Sequence, residues 1–231
     1  MGKFAAIVLS GGCGNRMKSN IPKQYLDLKG KPALYYSLKA FEESGVDDIV
    51  LVAASEYLEY CRTEIVDRYG LTKVKSIVPG GRERYFSVYE GLRQAQTSEY
   101  VLIHDGARPF VTEDIIARSM KTVVQEQACV VGMPVKDTIR IVDTDGYAAY
   151  TPERNLVWQI QTPQTFSCAL ITQAYQELMR RLDMGADVPA ITDDAMVLEY
   201  IYGKKVKLIE GDYRNIKITT PEDLQMAEQF A

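Results

Sequence analysis

The sequence is poor in the side chains on which many catalytic sites depend. It contains a single histidine, His104, among 231 residues. Metal centres built from several histidines are therefore excluded, as is any Ser–His–Asp or Cys–His site that does not use His104. Chemistry in this chain must rest on carboxylates, lysines, arginines, hydroxyl groups and backbone donors.

Cysteines are few and lie far apart in the chain. No CxxC pair and no Cys/His spacing typical of a zinc site occurs among them. This pattern predicts free thiols in a reducing compartment. The four cysteines are Cys13, Cys61, Cys129 and Cys168.

Long apolar runs and an excess of basic charge are also missing. The N-terminal apolar run, residues 4–9, is too short for the core of a signal peptide or for a membrane span. With 27 basic and 31 acidic residues the net charge is −4, which gives no general attraction to nucleic acid or to an anionic membrane. We expect a cytoplasmic protein with small-molecule substrates, in which a local basic cluster holds any polyanion.

The chain does contain an alternation of buried strands and amphipathic helices. Short apolar runs predict strands at residues 4–9, 49–53, 101–104, 128–133 and 205–209. Apolar residues three and four apart predict helices at 33–44, 57–69, 87–95, 113–127, 169–182, 194–202 and 221–231. This order predicts one α/β domain over residues 1–231, with a mostly parallel sheet and helices on both faces. Ligands of such sheets bind beyond the carboxyl ends of the strands, here after Leu9, Pro79 and His104.

Residues 137–158 interrupt this alternation. Apolar and polar residues alternate there around the dipeptide Asp145-Gly146, which is a strong hairpin signal. An isolated hairpin is only marginally stable. We therefore expect this two-stranded arm to pack against another surface, such as a second subunit.

The first candidate site is SGGCGNRMKSNIPK, residues 10–23, directly after the first strand. Its glycines allow backbone N–H groups to approach a phosphate, and Arg16 and Lys23 could converge on one triphosphate. The loop matches neither the Walker A pattern nor the dinucleotide fingerprint. A tight turn followed by two solvated cations is the alternative. The glycines are Gly11, Gly12 and Gly14.

Two further candidate sites follow predicted strands. In IHDGARPF, Asp105 could hold a hydrated Mg²⁺ and Arg108 could bind a phosphate, whereas His104 is interpreted as a core residue. The alternative is a capped turn. In PGGRERYFSV, the turn and the following helix could face a nucleotide through three residues, while the roles of its two arginines, at positions 82 and 84, stay open. Those three residues are Gly80, Gly81 and Ser87.

The remaining candidates lie in the second half of the chain. Thr138 begins the predicted arm and Arg154 lies near its return, where an ordinary hairpin with a surface arginine would also explain them. Lys217 is an unexplained cation in an apolar stretch that is interpreted as a strand. Thr220 has the sequence signature of a helix N-cap, and the acids of residues 192–194 are interpreted as a helix start.

Taken in order, the blocks GGCGNRM, PKQY, GGRERYFSV, HDGARPF, PVKDT, QTPQTF, TDDA and NIKITTPEDL resemble the 2-C-methyl-D-erythritol 4-phosphate cytidylyltransferases. The resemblance extends from Ala5 to the last helix. Ser10 departs from the alanine that is common at this place in the family. The resemblance implies a Rossmann-like fold, CTP as co-substrate and Mg²⁺ as cofactor. It also implies a homodimer whose arm carries Thr138 and Arg154 into the neighbour's site.

The resemblance also implies a role for each candidate residue. Arg16 and Lys23 would stabilise charge on the triphosphate, with Arg154 and Lys217 as further catalytic residues, and Asp105 would hold the magnesium. The nucleotide would be bound by Ser10, Gly11, Gly12, Gly14, Gly80, Gly81, Ser87 and Gly106. The polyol phosphate would be bound by Arg108, Thr138, Arg154, Thr162 and Lys217.

Three alternatives to this function stay open from the sequence. A ribitol 5-phosphate cytidylyltransferase would share the fold and the reaction, although the Gly-Ala pair in HDGARP favours the methylerythritol enzyme. A catalytically silent nucleotide-binding protein would be expected to lose Arg16, Lys23 or Asp105, all of which are present. An NAD-binding oxidoreductase is disfavoured because the dinucleotide fingerprint is missing.

Overall fold

The structure, a computed structural model, describes residues 2–12 and 21–231. Within those residues, seven strands form a central sheet in the spatial order β11-β7-β10-β6-β1-β4-β5. They are β1 (Phe4–Ser10), β4 (Asp48–Ala53), β5 (Val74–Pro79), β6 (Tyr100–Asp105), β7 (Ala128–Pro134), β10 (Trp158–Ser167) and β11 (Lys207–Glu210).

The sheet is mostly parallel, as the sequence predicts. Strand β1 pairs in parallel with β4 and β6, β4 with β5, and β7 with β11. Strand β10 is antiparallel to both of its neighbours, β6 and β7, and was not assigned from the sequence. Its stretch QTPQT is polar yet buried, so it lacks the apolar pattern by which a central strand is recognised.

Helices cover both faces of the sheet. One apolar core packs α1 (Ala33–Glu43) and α4 (Glu113–Glu126) against the sheet, and a second core packs α3 (Arg84–Gln94), α5 (Cys168–Asp183) and α6 (Asp194–Tyr202) against the other face. The closing helix α7 (Pro221–Phe230) follows the predicted N-cap Thr220, whose side chain forms a capping box with that of Asp223. None of the described helices is both long and apolar enough to cross a membrane.

Residues 137–158 form a smaller hairpin than predicted. Only β8 (Ile141–Val142) and β9 (Ala148–Tyr150) pair, in antiparallel fashion, and a 3-10 turn at Arg154–Leu156 leads into β10. Every residue from 141 to 150 is exposed in this chain. Without a core to pack on, the pairing extends over few residues. A second two-stranded sheet joins β2 (Asp27–Leu28) to β3 (Lys31–Pro32).

Three predicted elements differ in the structure. The helix expected at 57–69 is composite, with a 3-10 turn at Ser55–Tyr57, a short α2 at Leu58–Tyr60 and a π-helix at Cys61–Asp67. The strand expected at 205–209 is Lys207–Glu210. Lys217 does not lie in a strand, because residues 215–219 pair with no strand of the described chain and are held by single hydrogen bonds, such as that from the amide of Ile218 to the carbonyl of Ala107.

Candidate functional site

The carboxyl ends of β1, β5 and β6 meet at one edge of the sheet, where ligands were expected. The register of β1 and β6 aligns Leu9 with Asp105, and the Gly106 amide donates to the carbonyl of Leu9 at 2.8 Å. A Cβ on Gly106 would lie 2.7 Å from a methyl carbon of Leu34, so this glycine is required for packing. Gly106 thus packs against Leu34 and joins the ends of β1 and β6.

A cleft of about 240 Å³ opens at this edge, and we call it the first cleft. It brings together most of the residues predicted to bind nucleotide. The predicted residues that line it are Ser10, Gly11, Gly12, Lys23, Gly81, Ser87, Asp105 and Lys217. Gly14 and Arg16 lie outside the described residues, so their predicted roles have no structural account.

Two polar side chains fix the rim of the first cleft. The Ser87 hydroxyl accepts a hydrogen bond from the Gly81 amide at 3.1 Å, and a Cβ on Gly80 would lie 2.7 Å from that oxygen. Gln24, which the sequence did not single out, donates its amide to the carbonyls of Ser10 and Gly12. The glycine turns are therefore held by side chains that follow them in the sequence.

A second cleft of about 220 Å³ lies beside the first. Its wall includes Arg108 and Thr162, both predicted to bind the polyol phosphate, together with Gln161, Gln164 and residues 192–193. Polar groups dominate this wall, which suits a phosphorylated and hydroxylated ligand. Three residues line both clefts, namely Arg84, Asp105 and Lys217.

Asp105 is the centre of this shared wall and is surrounded by three cations. Its carboxylate lies 2.7 Å from Nζ of Lys217, 3.4 Å from Nε of Arg84 and 3.9 Å from Nε of Arg108. Burial opposes its ionisation, but attraction to Arg84, Lys217 and Arg108 outweighs burial and holds the pKa of Asp105 well below its usual range. The carboxylate is ionised at neutral pH.

The two arginines of PGGRERYFSV, whose roles stayed open from the sequence, have different surroundings in the structure. The guanidinium of Arg84 binds both oxygens of the buried Asp194 at 2.7 Å each, whereas Arg82 is exposed and stacks over the ring of Phe86. Burial acts to lower the pKa of Arg84, but attraction to Asp194 and Asp105 raises it well above its usual value. The sequence explained the acids at 193 and 194 as a helix start. Asp193 does cap α6, but the pairing of Asp194 was missed.

His104 is a core residue, as predicted. Its Nδ1 lies 3.0 Å from the Thr162 hydroxyl and its Nε2 lies 3.1 Å from the carbonyl of Arg108. Since a carbonyl can only accept, Nε2 carries the proton and Nδ1 accepts from Thr162. Burial lowers the pKa of His104 to about 4, so the ring is neutral at physiological pH. The Thr162 oxygen in turn accepts from the amide of Asp105 at 3.1 Å.

Arg108 is held by the segment that precedes α7, and this segment contains Lys217. The Arg108 guanidinium donates to the carbonyl of Asn215 at 2.8 Å, and the amide of Ile218 donates to the carbonyl of Ala107 at 2.9 Å. The Nε–H of Arg108 is buried and has no hydrogen-bond acceptor in the described part of the chain. It lies 3.9 Å from the carboxylate of Asp105.

Thr138 and Arg154 are not brought to either cleft of this chain. Both are exposed, and neither is part of a cleft wall. Arg154 donates to the carbonyl of Lys136 at 3.4 Å, at the base of the hairpin.

The fold is that of an α/β nucleotidyltransferase, and its two clefts lie beyond the carboxyl ends of the strands, where such sheets bind their ligands. The family model of 2-C-methyl-D-erythritol 4-phosphate cytidylyltransferase matches residues 4–231, and the chain belongs to that family.

Individual relatives agree with this assignment. The chain is 53% identical over 226 residues to the 2-C-methyl-D-erythritol 4-phosphate cytidylyltransferase of Lachnospira eligens, covering 97% of each sequence. It is 47% identical over 232 residues to the enzyme of that name from Clostridium botulinum, covering 100% of this chain and 98% of the relative. Among solved structures, 4-diphosphocytidyl-2C-methyl-D-erythritol synthase from Anaerococcus prevotii matches with a TM-score of 0.85 at 32% identity, covering 99% of this chain and 96% of that chain.

Proposed function

We propose that the chain transfers CMP from CTP to 2-C-methyl-D-erythritol 4-phosphate and releases pyrophosphate. The observation that carries this proposal is the pair of clefts that meet at Asp105 and Lys217, in a chain about half identical to relatives named for this activity. In this proposal the first cleft binds CTP and the second binds the polyol phosphate. Residues 1–231 act as one nucleotidyltransferase domain, located in the cytoplasm.

The reaction needs no general base. An oxygen of the acceptor phosphate forms a bond to the α-phosphorus of CTP, and the bond from that phosphorus to the β-phosphate oxygen breaks. The second pKa of a phosphate monoester is about 6, so the nucleophile is mostly ionised at neutral pH. The neutral, buried His104 is consistent with this, because its hydrogen bonds to Thr162 and Arg108 occupy both ring nitrogens.

The side chains would act by positioning and by stabilising charge. Lys217 lines both clefts and can reach phosphates on either side of the reacting centre. Lys23 lines the first cleft and would neutralise charge on the triphosphate together with Arg16. Arg108 would bind the acceptor phosphate through its guanidinium group, which lines the second cleft.

Asp105 is the residue that would hold Mg²⁺. No cluster of three or more His, Cys, Asp or Glu side chains occurs among the described residues, so protein ligands alone would not form a metal cage there. Mg²⁺ is commonly held by one or two carboxylates together with substrate phosphates and water. The single ionised carboxylate of Asp105, which faces the nucleotide cleft, suits this mode of coordination. A bound Mg²⁺ would supply positive charge to the phosphates.

A homodimer is part of the proposal. Thr138 and Arg154 would complete the acceptor cleft of the neighbouring subunit. The exposed arm supports this, because it presents large apolar side chains that a monomer would leave in water. The exposed fractions are 59% for Val142, 74% for Tyr147, 60% for Tyr150 and 74% for Leu156.

Pyrophosphate release from CTP tests the proposed function. The purified protein is given CTP and MgCl₂ with either 2-C-methyl-D-erythritol 4-phosphate or ribitol 5-phosphate as acceptor. We expect release with the methylerythritol compound only. Release with ribitol 5-phosphate alone would keep the reaction but change the acceptor, and release with neither would favour a silent nucleotide-binding protein.

A further inference from the structure

Arg84 connects the two clefts to the interior of the protein behind them. Its Nη1 and Nη2 donate to the two carboxylate oxygens of Asp194, each at 2.7 Å. Asp194 is fully buried, and one of its oxygens also accepts from the hydroxyl of Tyr175 at 2.6 Å. A buried charge persists when it is paired and hydrogen-bonded in this way. Asp194 and Tyr175 therefore fix the position of the Arg84 guanidinium from the protein interior.

The front of the same guanidinium faces Asp105. Its Nε lies 3.4 Å from Oδ1 of Asp105, while Nζ of Lys217 lies 2.7 Å from Oδ2. The two cations differ in how firmly they are held. Arg84 is a planar fork bound on two sides, whereas Lys217 is a point charge on a flexible stem with 37% of its side chain exposed. One oxygen of Asp105 thus has a fixed partner and the other has an exchangeable one.

We propose that Arg84, anchored by Asp194 and Tyr175, is a positioning residue that fixes the Asp105 carboxylate for binding CTP together with Mg²⁺. Arg84 keeps hold of Oδ1, while Lys217 can leave Oδ2 for a substrate phosphate. This inference rests on the proposed function, since it requires CTP in the first cleft. It assigns a role at the site to a residue pair that joins the first turns of α3 and α6.

A purely structural ion pair would behave differently from a positioning pair. Arg84 lines both clefts, but Asp194 and Tyr175 line neither. A change at Asp194 or Tyr175 can therefore alter CTP binding only through Arg84 or through general loss of stability. Measuring folding and binding in the same variants separates these two causes.

The experiment measures CTP binding by calorimetry over a series of MgCl₂ concentrations, without an acceptor, so that no turnover occurs. We expect Arg84→Met to raise the MgCl₂ concentration required for half-maximal binding by about 10- to 100-fold, as is common when a partner of a metal ligand is removed. Tyr175→Phe, which loses only the hydroxyl, should shift it in the same direction by a smaller factor. The double variant Arg84→Met/Asp194→Asn should match Arg84→Met, because Asp194 acts through Arg84.

The double variant also guards against misfolding, since it removes both buried charges together and leaves neither unpaired. Its thermal unfolding is compared with that of Arg68→Met, a control that removes an exposed arginine–glutamate pair at 3.2 Å. A folded double variant that binds CTP at wild-type MgCl₂ concentrations would overturn the inference. Failure of the wild-type protein to bind CTP would instead remove the proposed function, and this inference with it.

Discussion

The ammonium group of Lys217 lies 2.7 Å from Oδ2 of Asp105, at the wall that the two clefts share. The contact forms because the segment before α7 runs beside the end of β6, where the amide of Ile218 donates to the carbonyl of Ala107. Two residues from distant parts of the chain thereby form one ion pair at the wall between the clefts. In the proposed function, this pair places a cation within reach of both substrates.

Lys217→Ala should lower turnover by about 10²- to 10³-fold, the usual effect of removing one donor that stabilises charge in a transition state. Folding should change little, because Arg84 remains beside Asp105 and the lysine is partly exposed. Pyrophosphate release and thermal unfolding measure the two effects. Lys39→Ala is a matched control, since it removes an exposed lysine–glutamate pair at 2.9 Å. Near-normal turnover in folded Lys217→Ala would contradict the assigned role.

The sequence predicts a residue of this site when its neighbours in the chain reveal its role. It does not predict a residue whose role depends on a partner distant in the chain. Asp105 follows an apolar strand and Lys217 is a cation without a local explanation, so both could be identified from their neighbours in the chain. Asp194 was explained as an acid at a helix start, which is correct locally and conceals its pairing with Arg84. A buried ion pair between two helices leaves no periodic signal.

Strand β10 was missed for a related physical reason. Gln164 and Thr162 are polar, which in a sequence suggests exposure, yet both are buried. Gln164 accepts from the amides of residues 194 and 195, and Thr162 bonds with His104. Such hydrogen bonds offset the free energy that is lost when polar groups are removed from water. Partners this distant in the chain cannot be recognised from one sequence without its fold.

The stability of the protein should depend on pH through His104. Its pKa is about 4 in the folded chain against 6.5 ordinarily, so between these values the unfolded chain binds a proton that the folded chain does not. The contribution of His104 to stability is therefore complete above pH 6.5 and falls as the pH falls towards 4, by about 3 kcal/mol over the whole interval. Urea unfolding at several pH values measures this slope.

His104→Gln provides the comparison, since it is the single histidine of the chain and glutamine does not titrate. The variant should have a lower free energy of unfolding than the wild type at pH 7. Between pH 6.5 and 5, its free energy of unfolding should fall little further. The carboxylate of Asp105 contributes little in that interval, because its pKa is 3.8 ordinarily and lower still in the folded chain, so that neither state binds its proton above pH 5. Equal slopes in the wild type and the variant would show that the ring is not buried in neutral form.

Three cysteines should be unreactive in the native protein. Cys61 and Cys129 are fully buried and Cys168 is 5% exposed, and burial raises the pKa of each thiol, that of Cys129 to about 12. At pH 8 almost no thiolate is present at such sites. In a Cys13→Ser variant, a disulfide reagent such as 5,5′-dithiobis(2-nitrobenzoic acid) should react slowly before denaturation and with all three thiols after it. Rapid reaction of the native variant would be inconsistent with these burial values.

Sharing of sites between subunits can be tested by combining two inactive variants. Lys23 lines the cleft of its own chain, whereas Arg154 is expected to serve the neighbour's cleft. Lys23→Ala and Arg154→Ala should each lose most activity alone. In a mixed dimer, the Arg154→Ala subunit supplies an intact cleft and the Lys23→Ala subunit supplies an intact arm, so one of the two sites is complete.

Random pairing of equal amounts should restore about a quarter of wild-type turnover, because half of the dimers are mixed and each has one complete site of two. Co-expression with two different affinity tags, followed by sequential purification, isolates the mixed dimers and should double the recovered fraction. If each site were built within one chain, the mixed dimer would contain one site without Lys23 and one without Arg154. No activity would then return, and the arm would have to be assigned a role within its own subunit.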